Sequence, residues 1–291
     1  MLRIAFFFLS FSSLLFSQWA FSESYIKQRL EKEREAYEDG FMLIPHKANY
    51  VLPLTYMHRA DDAINPHGDF DLQHTEIKFQ ISLKVLTISR PLLKDNGYLF
   101  FAYTNTSTWQ AYNRSKSSPF RDSNHSPEMF MQFTTPWEWR GITIPQIIPG
   151  FIHQSNGQSG LRSRAWNRIY VNTVFSYKDW YLSFKPWYRI PVRKKRYPLD
   201  AKGDDNPDIL NYYGHFEVNL FHEFGNHHFR VMLRNNFKQS NRGAIEVNYT
   251  YPINTHLKGY IQLYHGYGEM LIDYDQRNTR IGFGFMLNNW M

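Results

Sequence analysis

From residue 48 onward, apolar and polar positions alternate. Tyr212, Gly214, Phe216, Val218 and Leu220 share one parity, while His215, Glu217 and Asn219 hold the other. Phe229, Val231 and Leu233 oppose Arg230 and Arg234, and Leu182, Phe184 and Tyr188 oppose Ser183, Lys185 and Arg189. Ile245, Val247, Tyr249 and Tyr251 oppose Glu246, Asn248 and Thr250. A period of two with one apolar face marks a strand that hides one side from water. The pattern predicts strands over about 49–57, 74–86, 97–112, 127–138, 142–155, 165–177, 180–191, 211–222, 227–238, 243–252, 256–267 and 277–290. That is an even number, twelve, and several reach about ten residues, the length that crosses a bilayer at a tilt.

The links between these segments alternate in length. Trp139-Arg140-Gly141, Lys178-Asp179, Glu223-Phe224-Gly225-Asn226 and Pro252-Ile253-Asn254-Thr255 are tight, whereas 58–73, 113–126, 156–164, 192–210 and 268–276 are long. The link 239–242 breaks the alternation by being short. Short turns at one end and long loops at the other describe a membrane barrel. The polar parity carries Arg, Glu, Asn, His and Lys, which suits a hydrogen-bonded lumen better than the solvent face of a soluble sandwich. A closed barrel also pairs every backbone group, as lipid requires. The expected fold is all-β: a twelve-stranded antiparallel transmembrane β-barrel with short periplasmic turns and longer extracellular loops. The final strand agrees, because Ile281, Phe283, Phe285, Leu287 and Met291 share one parity, although the last residue is Met291 and the aromatic ring, Trp290, stands before it.

The first 45 residues have another texture. Arg3 supplies a positive start, Ile4–Phe16 is almost wholly apolar or Ser, and Ala20-Phe21-Ser22 places small residues at a cleavage site. Residues 1–22 read as a secretory signal peptide cut after Ser22, too short and serine-broken for an anchor helix. Residues 23–40 are charged good helix formers with a thin apolar stripe at Ile26, Leu30 and Tyr37, which predicts a periplasmic arm or marginal helix within 23–45. Residues 46–291 form the barrel. No later stretch has 18 consecutive apolar residues, so any span is built from strands.

Composition refines this picture. The chain has 291 residues, 43% hydrophobic and 18% aromatic, with no cysteine, while mean hydropathy is −0.53. Many rings at low mean hydropathy fit strands with one polar side, and the lack of cysteine excludes disulfides and thiolate chemistry. The net charge of +7 suits an acidic partner. For an exported chain that partner is a lipid surface, not nucleic acid. Arg193-Lys194-Lys195-Arg196 lies in an outer loop, where it is either a solvated run or a contact for lipopolysaccharide phosphates. His222, His227 and His228 flank a short turn without the H-E-x-x-H spacing of a zinc site, and G-x-S-x-G is absent.

One hairpin carries candidate chemistry. With both termini periplasmic, His153 and Ser155 fall at the outer end of the fifth strand and Asn167 at the outer start of the sixth. Residues two apart on a strand point the same way, and Asn167 approaches as a cross-strand partner. A neutral histidine can remove the proton that makes serine a poor nucleophile. An amide can fix the histidine tautomer but offers no charge to the imidazolium. Gly157 permits an unusual backbone with a free N–H close to the serine. Alone, H-x-S is a weak signal, and a polar hairpin explains it as well.

Several collinear stretches sharpen the reading: His153-Gln154-Ser155-Asn156-Gly157, Ser163-Arg164-Ala165-Trp166-Asn167-Arg168, Ser117-Ser118-Pro119-Phe120-Arg121, Lys185-Pro186-Trp187-Tyr188, Asp204-Asp205-Asn206-Pro207-Asp208-Ile209, Gly266-Tyr267-Gly268-Glu269 with Leu271-Ile272-Asp273-Tyr274, and Asn49-Tyr50-Val51-Leu52-Pro53. Together they resemble the outer-membrane phospholipase A (detergent-resistant phospholipase A) family over about 46–291. The resemblance implies a calcium-dependent serine esterase of the outer membrane of a Gram-negative bacterium, acting on phospholipids and lysophospholipids as a homodimer. It implies Ser155 as nucleophile, His153 as base, Asn167 as orienter and the Gly157 N–H at the oxyanion. For calcium it implies the Ser163 side chain, the Gln158 backbone carbonyl and Ser117 of the partner subunit, oxygen donors that suit a hard cation. The chain departs from the family in two places. A second calcium site would use an acidic pair at Gly160 and Asp205, and glycine has no carboxylate. The family's interfacial glutamine falls at Asn105, a shorter amide. The alternative is a non-catalytic outer-membrane porin or channel.

Overall fold

A computed structural model describes residues 33, 43–58, 72–88, 91–197, 199–200 and 202–287. The expected signal peptide and the Trp290–Met291 end lie outside them, as does most of the 23–45 arm. Twelve long strands follow in order: β1 Asn49–Met57, β2 Thr75–Leu86, β3 Tyr98–Trp109, β4 Phe120–Thr134, β5 Ile142–Ser155, β6 Ala165–Tyr177, β7 Trp180–Ile190, β8 Phe216–Phe224, β9 His227–Asn235, β10 Gly243–Pro252, β11 Leu257–Tyr267 and β12 Arg277–Leu287. Each pairs antiparallel with its sequence neighbours, and β12 pairs with β1, so the sheet closes. Two short strands extend it: Ile44–Pro45 pairs with β2, and Glu138–Trp139 with β5. No helix among the described residues is long and apolar enough to cross a membrane; the strands do so.

Alternation fixes which side faces lipid. Val51, Ile81, Phe101, Met129, Phe151, Ile169, Phe184, Leu233, Ile245, Leu263 and Phe283 are exposed on the outer wall. Trp139, Tyr177, Trp180, Phe224 and Tyr251 are exposed at the short-turn end, where amphipathic rings suit the headgroup level. The opposite parity fills the lumen. Glu76, Lys78, Lys84, Arg121, Glu128, Gln262 and Arg280 are buried there, which is tolerable because they are paired. Arg280 reaches Glu76 at 2.6 Å and Glu269 at 2.7 Å, Lys78 reaches Glu269 at 2.9 Å, and Arg121 reaches Glu76 at 3.2 Å. This cluster crosses the lumen below the long-loop end. Glu33 from the arm is buried against Lys84 at 2.9 Å.

Several strand boundaries differ from the pattern-based expectation. β4 begins at Phe120, not 127. Its first turn bulges, with Trp109 opposite Phe120 and Asp122 opposite Thr108, and polar residues line both of its faces, so no apolar parity announced it. Residues 210–213 form one helical turn instead of the start of the eighth strand. Gly214 ends it at φ +68, and a methyl there would lie 2.1 Å from the Asn235 carbonyl oxygen, so only glycine permits the approach. The turn tucks Ile209 and Tyr213 among Trp166 and Trp187 at the lumen mouth. The link between β9 and β10 runs from 236 to 242, longer than 239–242, which restores the alternation of long and short links.

Candidate active site

The β5–β6 hairpin is aligned as the parity argument requires. His153 pairs with Asn167 and Ser155 with Ala165. His153 and Ser155 share the parity of exposed Phe151, and Asn167 shares that of exposed Ile169. All three therefore project from the outer wall, not into the lumen. Their lumen-facing neighbours hold the hairpin from behind: Gln154 Oε1 accepts from Trp166 Nε1 and from Arg168, both at 3.0 Å. The two cavities described in the lumen, 350 and 200 Å3, are lined by Gln154, Arg168 and Lys185 among others and by none of the three.

His153 Nδ1 lies 2.8 Å from Asn167 Oδ1. A carbonyl oxygen only accepts, so Nδ1 carries the proton and Nε2 keeps its lone pair. This is the tautomer a general base needs.

The loop after Ser155 is shaped by Asn156, which is buried. Its Oδ1 accepts the N–H of Gln158 at 3.3 Å and of Arg164 at 2.9 Å, and its Nδ2 donates to the Arg162 carbonyl at 2.9 Å. Gly157 takes φ +65 and Gly160 φ +64, the left-handed region that glycine enters freely. Ala165 N–H donates to buried Asn206 at 3.0 Å, tying the hairpin to the 191–215 loop.

Ser163 Oγ donates to Asp205 Oδ2 at 2.7 Å, while Lys195 Nζ pairs with Asp205 Oδ1 at 2.5 Å. Ser163, Asp205 and the exposed Gln158 thus sit on neighbouring loops at one end of the barrel. Ser117 is exposed on the β3–β4 loop at φ +59. Gly160 offers no ligand, as the sequence indicated. Arg193 pairs with Asp200 at 2.9 Å, so two members of the basic run, Arg193 and Lys195, are engaged within their own loop. Asp200 is held down at about 2 by the Arg193 guanidinium and by the amides of Lys202 and Arg196.

The three turn histidines serve separate contacts. His222 stacks on Trp180 at 4.0 Å, His227 bonds the Tyr249 hydroxyl at 2.8 Å, and His228 bonds Glu223 at 3.1 Å. Among the described residues no three His, Cys, Asp or Glu side chains gather as for a metal ion.

One residue was absent from the sequence-based reading. His125 of β4 lies directly across from Ser155. The β4–β5 register is needed to see this, and no local motif reveals it.

The phospholipase A1 family model matches residues 26–287 of the chain. The chain belongs to the phospholipase A1 family. The phospholipase A1 of Klebsiella pneumoniae is 35% identical over 254 residues, 87% of this chain and 85% of that one. That of Escherichia coli is 34% identical over 259 residues, 88% and 84% of the two chains. In three dimensions the chain matches the outer membrane phospholipase A of Escherichia coli with a TM-score of 0.78 at 34% identity, over 86% of this chain and 93% of that one. It also matches a Salmonella typhi outer membrane phospholipase dimer with bound calcium, with a TM-score of 0.76 at 34% identity, over 86% and 94% of the chains. The chain is thus a phospholipase, an outer-membrane β-barrel protein of Gram-negative bacteria. The porin alternative gives way, and the ionic cluster across the lumen is in keeping with that outcome.

Proposed function

We propose that this phospholipase hydrolyses the acyl esters of phospholipids and lysophospholipids at the outer wall of its barrel, with Ser155 as nucleophile, His153 as base and Asn167 as orienter. The observation that carries this reading is the 2.8 Å bond from His153 Nδ1 to Asn167 Oδ1 beside an outward-facing Ser155. A site on the outer wall lets a lipid reach the serine from the bilayer without crossing the lumen. Ser155 Oγ attacks the ester carbonyl carbon while His153 Nε2 takes its proton. In this reading the resulting oxyanion is met by the N–H of Gly157, two residues after the serine. Collapse breaks the ester C–O bond, and His153 returns the proton to the departing alcohol. Water, deprotonated by His153, then attacks the acyl carbon; the bond to Ser155 Oγ breaks, His153 returns the proton to Oγ, and the fatty acid leaves. Asn167 keeps the ring in place throughout but adds no charge.

Calcium fits the residues at hand. The donors are all oxygens, which suit a hard cation, and the Ser163 hydroxyl sits against the Asp205 carboxylate, whose charge Lys195 balances. Ser163 and the Gln158 carbonyl would hold the ion with Ser117 of the partner subunit, which makes the homodimer the active form. When bound, calcium supplies positive charge near the developing oxyanion. Exposure of Ser117 on its own chain supports a ligand delivered across a subunit interface. The basic run at Arg193–Arg196 meets lipopolysaccharide phosphates chiefly through Lys194 and Arg196, since its other two charges are paired.

The test is fatty-acid release from phosphatidylcholine in mixed micelles by the refolded protein. Wild type with calcium should be active. Ser155→Ala, and wild type with a chelator, should be inactive while still migrating as folded barrels. Full activity of Ser155→Ala would overturn the assignment.

A further inference from the structure

We propose that His125 is a further catalytic residue, its Nε2–H donating a hydrogen bond to the ester oxyanion beside the Gly157 N–H. This rests on Ser155 being the nucleophile. His125 stands opposite Ser155 in the β4–β5 ladder, and side chains so paired are neighbours on one face. A methyl placed on Gly157 would lie 3.6 Å from His125 Cδ2 and 3.7 Å from Nε2. The far edge of the ring therefore covers the residue proposed to face the oxyanion.

The ring's hydrogen bonds fix where its proton sits. Nδ1 lies 2.6 Å from the Tyr103 hydroxyl and 3.4 Å from Asn105 Nδ2. Asn105 is oriented by Ser107, whose hydroxyl donates to Asn105 Oδ1 at 2.9 Å and lies 2.9 Å from the Ser123 hydroxyl. That leaves the Asn105 amide N–H as the group turned toward Nδ1, and an amide N–H only donates. Nδ1 is thus an acceptor, and in the neutral ring the proton sits on Nε2. His153 is held the other way, with its proton on Nδ1 by Asn167. Two histidines of opposite tautomer flank Ser155: one presents a lone pair for the serine proton, the other an N–H for the oxygen that becomes charged.

The setting favours such a role. Asn105, Ser107, Ser123 and His125 are polar side chains on a wall that elsewhere carries Ile81, Phe101 and Met129. Asn105 holds the position of the family's interfacial glutamine, so in the proposed dimer this patch lies toward the partner subunit, where buried polar groups still need partners. Here they satisfy one another, and the chain of bonds ends at an imidazole edge beside the site.

The experiment compares wild type, His125→Phe, His125→Gln, Tyr103→Phe and Ser155→Ala, refolded and assayed with saturating calcium on dioctanoyl phosphatidylcholine, with dimerisation followed by sedimentation equilibrium. His125→Phe keeps a ring without a donor and should lower kcat by about tenfold to a hundredfold, at or below the range seen for one oxyanion donor. Its KM and dimer affinity should stay near wild type. His125→Gln keeps an N–H and should retain more activity than His125→Phe. Tyr103→Phe, which frees the ring, should fall between them and wild type. Unchanged kcat in His125→Phe, equal losses in the Phe and Gln variants, or a loss matched by lost dimerisation would each overturn the proposal. If His125→Phe does not fold, unchanged kcat in Tyr103→Phe overturns it. Ser155→Ala separates the two claims: its full activity defeats the serine assignment itself, whereas an inert Ser155→Ala beside an unaffected His125→Phe defeats the His125 role alone.

Discussion

Lys195 Nζ lies 2.5 Å from Oδ1 of Asp205, the carboxylate whose other oxygen takes the Ser163 hydroxyl. An ammonium thus supplies counter-charge where a second divalent ion would need two carboxylates, and Gly160 provides neither the second carboxylate nor any side chain. Calcium titration by calorimetry should therefore give one ion per chain. Gly160→Asp combined with Lys195→Met should give two. The space at Gly160 allows it, since the nearest atom to an added methyl is Leu199 Cδ2 at 3.8 Å, and aspartate tolerates a left-handed backbone better than most residues. Two ions per chain in the wild type would refute this account.

Asn156 shapes the loop from inside, so its loss should be felt at the metal and not in the barrel. Asn156→Ala removes three bonds to backbone groups, each worth about 1 kcal/mol net. The apparent calcium affinity should drop by at least tenfold, on the order of 1.4 kcal/mol. Heat-modifiable migration should remain that of the folded barrel. Calcium-dependent activity curves check both.

The 191–215 loop carries a pH limit through Asp200. Its carboxyl is held near 2 in the folded chain, below the ordinary value near 3.9. A depressed folded value means that the contribution is complete above about 4 and fades as pH falls through the folded value. Acidification from about 4 to 2 should therefore loosen the loop that positions Asp204, Asp205 and Asn206. Hydrogen exchange of its amides, corrected for intrinsic rate, should rise across that window in wild type. Asp200→Asn should already show the faster exchange at pH 7. Flat protection from pH 5 to 2 would count against this.

In the proposed site Asn167 holds His153 through an uncharged amide, so Asn167→Ala should be a milder lesion than Ser155→Ala. A charged third member can be worth about 10⁴ in kcat. For a neutral amide the loss should be at least about tenfold but well below that. Single-turnover acyl release separates the two, and equal inactivity of both variants would mean that Asn167 does more than orient.

The sequence made the frame legible wherever the outer wall is apolar. β1, β5, β6 and β10 run over the residues that the alternation predicted, because each pairs an apolar lipid face with a polar lumen face. β4 was hard to place for the same physical reason: Ser123 and His125 put polar groups on its lipid side, leaving no parity to read. The Tyr212–Gly214 parity misled, since the short helix it belongs to is set by long-range packing on Trp166 and by the Asn235 carbonyl. The alignment of the proposed site on its hairpin was legible because His153, Ser155 and Asn167 are joined by local register. His125 was not, because its place depends on a strand pairing thirty residues apart in the chain.

The lumen cluster makes a last, independent prediction. Arg280 is fully buried between Glu76 and Glu269 and also donates to Thr55 Oγ1 at 3.0 Å. Arg280→Met removes one cation and leaves Lys78 and Arg121 as the remaining cations beside the two buried carboxylates. Breaking a buried pair from one side costs about 3–5 kcal/mol, so the urea midpoint in phospholipid vesicles should fall sharply. Phe283→Leu on the lipid face of the same strand replaces one apolar group with another and should shift it by less than about 1.5 kcal/mol. If the two variants unfold alike, the ion cluster does not brace the barrel. Because the cluster lies across the lumen and the proposed serine sits on the outer wall, whatever Arg280→Met protein remains folded should hydrolyse lipid at a near-normal rate per folded molecule.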